Sequence, residues 1–405
     1  MLYGFAGAPA DVAAAVDEVR GRARRCPDLA LRVRDGNPLT YPAWVPRPVG
    51  DDQFVLHDLD APGWNECLQA VAGLAERQLD AADVTWRLHV FPRVQGIPGV
   101  DGPGTVAVLQ IAHVLGDGIR SSALAAWLFG RPTPVPPVPA ETWVAARLPG
   151  RAIRAARTHR MLVAEEQSGA VPAPAPSRPV RRSNAAPAGR RWVRTLVRPR
   201  SRIAGPTVTI GVLAAVADAL SAHLCALGED PDGLGAEVPM AATGVRRARN
   251  QFGNVGIGLY PELDREARVA RMVADFDRRR RRAAHPAMVA SKQAFAATPA
   301  PLLRWGVGQF DPSLRSPEVT GNTVVSSVNR GPADLTFGDA PVVVTAGYPA
   351  LSPMMGLTHG VHGIGDTVAI SVHAAESAVA DIDAYVAGLA RALDGRRPEG
   401  GWSAT

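Results

Sequence analysis

Apolar positions in the first third of the chain follow two different periods, which indicates alternating helices and strands. One helical stripe begins at Val12, and a second follows the turn at Pro62. Segments rich in aromatic and β-branched residues predict strands at 86–91 and 105–111, and helical spacing resumes at 119–129. Such a pattern predicts helices that lie against a sheet.

The rest of the chain repeats this pattern after a long interruption. Residues 136–200 are rich in Pro, Ala and Arg and contain a basic helical stretch, so they predict a poorly packed crossover linker. Beyond it the pattern predicts helices at 213–227 and 379–393 and strands at 323–328, 341–346 and 367–373. The predicted organisation is an N-terminal half at 1–135, a linker at 136–200 and a C-terminal half at 201–405.

The composition is that of a globular protein, and it constrains the choice of partner only weakly. The chain of 405 residues is 46% hydrophobic and 20% charged, with a net charge of +6 carried almost entirely by arginine. An arginine bias does not by itself indicate nucleic acid, and we expect no such partner. Three widely spaced cysteines, an N-terminus without signal-peptide features and no apolar run of about 18 residues predict a cytoplasmic protein without a membrane span.

The segment AHVLGDG at 112–118 is the best candidate for chemistry, because a predicted strand ends there and a helix begins. His113 at a rigid strand end can point into a cleft, and a neutral imidazole, with an ordinary pKa of about 6.5, can accept a proton from a hydroxyl. Asp117 could order the loop by pairing with an arginine, and Gly118 allows the backbone to turn without a Cβ. The spacing alone fits an incidental histidine equally well.

Further segments surround this HxxxDG motif in a recognisable order. They are Leu79, Asp80 and Trp86 before it, and VLAAVADAL, VPMAATGVRR, NQFGNVG, SSVNRGP and the stretch from GYPALSP to ISVHAA after it. Together they resemble the condensation-domain and chloramphenicol-acetyltransferase superfamily, and more narrowly the bacterial wax ester synthase/diacylglycerol acyltransferase family. The resemblance implies an α/β fold of two chloramphenicol-acetyltransferase-like subdomains, each a mixed sheet covered by helices, with an active-site tunnel between them.

The resemblance also implies a reaction, in which His113 deprotonates an acceptor as it attacks the carbonyl of an acyl thioester. It implies acyl-CoA as the donor substrate, an alcohol, diacylglycerol or amine as the acceptor, and neither a cofactor nor a metal. The residues that could bind substrate or the oxyanion are Trp86, Asn254, Ser326, Ser327 and Asn329. The serines and asparagines fit ordinary turn chemistry as well.

Departures from the family pattern leave the acceptor open. Ala112 stands where the family has a first histidine, Val84 and Thr85 replace a Pro-Leu pair, and Thr209-Ile210 replace Asn-Asp. The leading hypothesis is synthesis of a wax ester or triacylglycerol from acyl-CoA. One alternative is ester or amide formation on a specialised metabolite, including transfer from a carrier protein, and another is a non-catalytic relative that binds acyl chains.

Other chemistry is less well supported by the sequence. His359 and His362 have metal-ligand spacing but lack a carboxylate or cysteine cluster, so a Gly-rich loop lining the cleft is predicted there. The arginines at 278–282 surround a helix and are expected to be mostly solvated, and the chain has no G-x-S-x-G elbow. Basic helices at 147–160 and 278–282 lead us to expect peripheral contact with a membrane or lipid droplet.

Overall fold

Strands and helices alternate along the chain in a computed structural model, which describes residues 1–139, 145–241, 246–311 and 313–395. The strands are β1 (Leu2–Phe5), β2 (Leu31–Arg34), β3 (Ala43–Pro46), β4 (Phe54–Leu56), β5 (Trp86–Val94), β6 (Gly104–Ile111), β7 (Arg178–Pro179), β8 (Arg191–Pro199), β9 (Gly235–Ala241), β10 (Phe252–Gly258), β11 (Glu318–Val319), β12 (Thr323–Asn329), β13 (Thr336–Phe337), β14 (Ala340–Ala346), β15 (Leu357–Ile364) and β16 (Thr367–Ala375). The helices are α1 (Val12–Arg24), α2 (Trp64–Glu76), α3 (Gly118–Leu128), α4 (Leu148–Gln167), α5 (Val208–Ala226), α6 (Arg265–Ala284), α7 (Pro286–Phe295), α8 (Ala300–Gly308) and α9 (Ile382–Leu393).

The strands form two mixed sheets of six strands each, which confirms the predicted fold class. The first sheet has the order β13-β14-β1-β6-β5-β4, in which only the β4–β5 pair is parallel. The second has the order β10-β9-β12-β15-β16-β8, in which β12 runs parallel to both of its neighbours. β2 with β3, and β7 with β11, form two small ribbons beside them.

Chain position and sheet membership do not coincide, which corrects the predicted boundaries. β13 and β14 come from the C-terminal part of the chain, yet β14 pairs with β1 and completes the first sheet. Phe337 and Val342 accordingly belong to the same core cluster as Phe5 and Phe129. β8, which falls in the predicted linker, pairs with β16 at the edge of the second sheet.

The end of the predicted linker is also well packed, contrary to expectation. Asn184 is fully buried, and its amide donates to the carbonyl oxygens of Gly321 at 3.1 Å and Met354 at 3.0 Å. Its Oδ1 accepts from the amide of Asn322, which is itself fully buried, at 2.9 Å. Because these hydrogen bonds satisfy the buried amides, a polar segment can be ordered without an apolar core of its own.

One helix in the described part of the chain, α5, is long and apolar enough to span a membrane, with a mean hydropathy of 1.7. Its side chains are nevertheless largely inside the protein: Val212, Leu213, Val216 and Leu220 are fully buried in the core cluster of the second sheet. The pattern of burial identifies α5 as a core helix.

The prediction of a Gly-rich loop around His359 and His362 is wrong, because these residues lie on β15 in the middle of the second sheet. A Cβ on Gly360 would lie 2.0 Å from the carbonyl oxygen of Gly347, so glycine is required by the close approach of another chain segment. His359 is fully buried and shares hydrogen bonds with Thr323 and Tyr385. Burial lowers the pKa of His359 to about 3.

The buried asparagine pair makes a testable contribution to stability. Asn322→Ala removes the amide that donates to Asn184 and Pro179 and the oxygen that accepts from the Gly235 N–H. We expect it to lower the free energy of unfolding by about 2–4 kcal/mol, because several buried groups lose their partners. Urea-induced unfolding measures the change.

The matched control is Asn65→Ala, at an exposed position on α2. We expect this change to alter stability by no more than about 0.5 kcal/mol. Equal effects of the two substitutions would contradict a structural role for the buried pair.

Candidate active site

His113 lies in the loop between β6 and α3, two residues beyond the end of β6. The loop leaves the sheet at Ala112, whose N–H donates to the Thr85 carbonyl oxygen at 2.8 Å. Leu115 is fully buried in the core of the first sheet and anchors the middle of the loop. Between these fixed points the side chain of His113 is exposed, so an incoming molecule can reach the imidazole.

Asp117 is the N-cap of α3 and pairs with Arg246. The sequence suggests such a pairing with an arginine but does not identify which one. Its Oδ1 accepts from the Arg120 N–H at 3.0 Å and from Arg246 Nη2 at 3.1 Å. Its Oδ2 accepts from Arg246 Nη1 at 2.6 Å and from the Gln251 N–H at 2.9 Å. Burial would raise the pKa of this carboxyl, but the hydrogen bonds from Arg246 and from the two backbone N–H groups hold the pKa below its usual range.

A second carboxylate, Asp28, strengthens the same junction. It pairs with Arg120 on α3 and, at 2.5 Å, with Arg249. The Arg249 guanidinium also lies 4.7 Å from the ring centre of Trp44 on β3. The segment that carries Arg246 and Arg249 is thus bound to the HxxxDG loop by two carboxylates.

Two further contacts place His113 where the two sheets approach each other. Its ring meets the ring of Phe252, the first residue of β10, edge to face with the centres 5.7 Å apart. A Cβ built on Gly118 would lie 3.0 Å from Cγ2 of Val328 on β12. Gly118 does not adopt a positive φ, so glycine serves here to let the loop and β12 approach, rather than to make the turn that the sequence suggests.

Ser326 and Ser327 lie on β12 next to Val328, but their side chains point to opposite faces of the second sheet because strand residues alternate. Ser327 Oγ accepts a hydrogen bond from Thr209 Oγ1 on α5 at 2.9 Å. Ser326 shares the face of Val328, which approaches the HxxxDG loop. Of the two serines, Ser326 therefore lies on the face of β12 that approaches the HxxxDG loop at Gly118.

Asn254 and Asn329 are both exposed and both already hydrogen-bonded. Asn329 Oδ1 accepts from the Gly331 N–H at 3.0 Å, which is the turn chemistry that the sequence offered as the alternative. Asn254 lies on β10 and donates from Nδ2 to Glu237 Oε2 at 3.2 Å. Asn254 thus lies on β10 two residues after Phe252, the residue that contacts His113, and Asn329 has a local structural partner.

Trp86 is a core residue, which corrects the expectation that it binds substrate. It is fully buried, its Nε1 donates to the Leu29 carbonyl oxygen at 2.8 Å, and its ring packs edge-on against Phe54. The alternation of β5 directs position 86 into the core of the first sheet.

Several residues at the site were not identified from the sequence, and the reason is their distance along the chain. Arg246 and Arg249 follow VPMAATGV, and Asp28 lies in a short turn 89 positions before Asp117. The two arginines after VPMAATGV were the available signal for a partner of Asp117, because an Asp in a buried helix cap needs a cation. Among the residues that the structure describes, no three His, Cys, Asp or Glu side chains group in a way that could hold a metal ion.

Comparison with known proteins finds one matching family and several similar folds. Residues 249–395 match the family described as WS/DGAT C-terminal domain. The fold is similar to that of a wax ester synthase/diacylglycerol acyltransferase from Marinobacter aquaeolei VT8, with 97% of this chain and 92% of that chain covered, 17% identity and a TM-score of 0.61. The family resemblance is therefore confirmed. No curated protein sequence matches the chain.

Condensation domains share the same fold at lower identity. The first condensation domain of the calcium-dependent antibiotic synthetase, in complex with a substrate analogue, covers 97% of this chain and 90% of its own, with 14% identity and a TM-score of 0.56. The starter condensation domain of rhizomide synthetase in complex with C8-CoA covers 98% and 90%, with 12% identity and a TM-score of 0.55. The matched family and this fold support an acyltransferase.

The paired carboxylate predicts how stability depends on pH. The pKa of Asp117 is lower in the folded protein than in the unfolded chain, where it is about 3.9. Its stabilising contribution is therefore present above about pH 4 and is lost as the pH falls through the lower, folded-state value. We expect Asp117→Asn to cost about 1–3 kcal/mol at pH 7, and less as the pH approaches about 3.5.

Asp277→Asn is the matched control, because Asp277 pairs with Arg280 on the exposed side of α6. Exposed pairs contribute about 0–1 kcal/mol, so this variant should resemble the parent at every pH. Chemical unfolding between pH 3.5 and pH 7 measures both variants. An Asp117→Asn protein as stable as the parent at pH 7 would show that the cap does not order the loop.

Proposed function

We propose that the protein is an acyltransferase that moves a fatty acyl group from acyl-CoA to the hydroxyl of an alcohol or diacylglycerol, with His113 as the general base. The observation that carries the proposal is an exposed imidazole on a loop that two carboxylates hold against the opposite sheet. The match of residues 249–395 to the WS/DGAT C-terminal domain supports the reaction class. The C8-CoA complex of a protein with the same fold supports acyl-CoA as the donor.

In the proposed mechanism, neutral His113 accepts the proton of the acceptor hydroxyl as its oxygen attacks the thioester carbonyl carbon. The tetrahedral intermediate then collapses, the carbon–sulfur bond breaks, and the imidazolium returns its proton to the departing CoA thiolate. The developing oxyanion requires hydrogen-bond donors, and Ser326 on the facing side of β12 is the first candidate, followed by Asn254. The acyl group passes from sulfur to oxygen and the proton passes from the hydroxyl to the thiolate, so the reaction needs no redox step and no cofactor.

Asp117 has a positioning role in this proposal and does not exchange a proton with substrate. Its two carboxylate oxygens are occupied by Arg246, by the Arg120 N–H and by the Gln251 N–H. The ion pair therefore fixes the loop on which His113 projects. A cytoplasmic location, with access to a lipid phase for the apolar acceptor, is part of the same proposal.

A second candidate keeps the base and changes the acceptor to an amine or polar hydroxyl of a specialised metabolite. The side chain of Thr85, which replaces a residue of the family's Pro-Leu pair, is buried and donates to the Leu31 carbonyl oxygen at 2.8 Å, so this substitution does not reach His113. Ala112, the residue before His113, replaces the family's first histidine. A change at the position next to the base favours an acceptor different from that of the family.

The two candidates predict different products in one assay. Purified protein is incubated with acyl-CoA and, separately, a fatty alcohol, diacylglycerol or a panel of amines, and thiol release and product mass are measured. The first proposal predicts esters of the fatty alcohol or diacylglycerol. Products with amines or polar alcohols alone would establish the second, and turnover with any of them excludes a purely acyl-binding relative.

The base itself is tested by His113→Ala. We expect turnover to fall by about 10²- to 10⁴-fold while the unfolding transition stays close to that of the parent, because an exposed imidazole contributes little packing. The assay uses a water-soluble alcohol, and thiol release reports the rate. His159→Ala, which removes an exposed histidine on α4, should leave turnover unchanged. A His113→Ala protein with the parent's rate would disprove the mechanism.

A further inference from the structure

The region of α8 exposes large apolar side chains that the core does not use. Leu302, Trp305, Val307, Phe310 and Leu314 have exposed fractions of 52%, 66%, 66%, 74% and 75%. Scattered single apolar residues on a surface are ordinary, but five within thirteen positions form a patch of the kind that marks an interaction surface.

The tip of the β2–β3 hairpin joins this patch. Arg304 on α8 pairs with Asp35 at the start of the hairpin loop, and Tyr41 donates its hydroxyl hydrogen to the Thr298 carbonyl oxygen. The loop between them presents Leu39, which is 73% exposed. The hairpin tip is thus held beside α8 and extends its apolar surface.

A basic helix borders the same patch. α4 packs on α7 through a stripe that includes the buried Leu162, and Arg151 donates to the carbonyl oxygen of Gln293 at 3.1 Å. Gln293 lies in the last turn of α7, two residues before Phe295, which is 65% exposed. The N-terminal half of α4 therefore adjoins the point where α7 leads into α8.

The charge of that half of α4 is positive and uncompensated among the described residues. Residues 147–160 contain five arginines and no acidic residue, and none of the five forms an ion pair in the described part of the chain. Ile153 and Met161, both more than half exposed, flank Arg157 at four-residue spacing and share its side of the helix. Arg147, Arg151 and Arg154 line an open groove of about 520 Å³.

The other basic run, at 278–282, is largely engaged inside the protein. Arg278 pairs with Asp275, and Arg282 pairs with Glu166. Arg279 is 8% exposed and donates to the Ala173 carbonyl oxygen at 2.7 Å. These contacts correct the expectation that most of the run is solvated, although Arg280 and Arg281 are exposed. The longer series of exposed arginines is that of α4.

We propose that these elements form one docking face for an anionic phospholipid surface. The face consists of the exposed arginines of α4, the end of α7 at Phe295, the α8 patch and the hairpin tip at Leu39. An apolar patch beside unpaired arginines matches the two parts of a lipid interface, the acyl boundary and the phosphate headgroups. Trp305 and Phe310 enter the interface, and Arg154 and Arg157 contact the phosphates.

The experiment measures binding of the 405-residue chain to vesicles of phosphatidylcholine containing about 30% phosphatidylglycerol, and to vesicles of phosphatidylcholine alone. We expect co-sedimentation with the anionic vesicles that weakens as salt is raised. The double variant Arg154→Gln/Arg157→Gln should lower affinity by about tenfold or more, because each cation near the surface contributes to binding. Trp305→Ser/Phe310→Ser should lower it by a similar factor and leave the remaining binding more sensitive to salt.

Two matched controls use the same substitutions elsewhere on the surface. Arg200→Gln/Arg202→Gln removes two exposed arginines outside the face, and Leu56→Ser/Leu227→Ser removes two leucines that are 61% and 49% exposed. Both controls should bind like the parent. Equal losses in control and face variants would overturn the proposal, as would face variants with the parent's affinity.

A second copy of the chain is the other occupant that the test separates. Light scattering of the protein without vesicles reports its mass, and a dimer that Trp305→Ser/Phe310→Ser converts to monomer would assign the patch to self-association and overturn the lipid proposal. Vesicle binding does not depend on turnover, so failure of this proposal and failure of the acyltransferase proposal are distinguishable.

Discussion

The ion pair between Asp117 and Arg246 is the contact on which the site depends. A carboxylate that is 4% exposed would destabilise the fold if it were left without partners, and four hydrogen bonds satisfy it here. Those donors come from the first turn of α3 and from the segment before β10. Any displacement of one sheet relative to the other would therefore expose or unpair a buried charge, so the pair sets where His113 stands relative to β10 and β12.

Close approach of backbones is the second constraint. The HxxxDG loop reaches β12 because Gly118 presents no Cβ to Val328, and β15 passes the segment at Gly347 because Gly360 presents none either. The crossover of β14 into the first sheet adds a covalent link between the sheets, since the chain enters the first sheet after β12 and returns to the second at β15. Two sheets connected in this way present one junction, and the histidine loop lies at that junction.

Local pattern was enough to predict most elements near the site. Helical and strand patterns gave α3, α5, α9, β5, β6, β12, β14 and β16 within a few residues, because each carries an apolar stripe or run that the fold buries. The pattern of apolar residues failed to predict strands whose pairing does not produce an apolar alternation. β15 was interpreted as a loop because its glycines, required by close packing, resemble turn residues, and β8 was assigned to the linker because an arginine-rich edge strand shows little apolar alternation.

The residues of the site also fall into those that a local pattern identifies and those that only the fold brings together. His113, Asp117 and Gly118 are contiguous, so a motif could identify them, whereas Arg246, Asp28 and Phe252 meet them only through folding. A single sequence shows that Asp117 needs a cation, but it does not show which of 43 arginines supplies it. Trp86 illustrates the converse error, because an aromatic residue in a matched motif was taken for a binding residue when the strand places it in the core.

The β2–β3 hairpin connects the two surfaces on which the proposals rest. Trp44 on β3 lies under Arg249, whose partner Asp28 also holds α3, and the loop of the hairpin is bound to α8 through Arg304 and Tyr41. Contacts of Trp44 and of the neighbouring hairpin loop therefore link the proposed docking face to the segment that holds the histidine loop. Docking would then set the orientation of the loop towards the lipid surface through existing contacts, without a conformational change in the loop that carries His113.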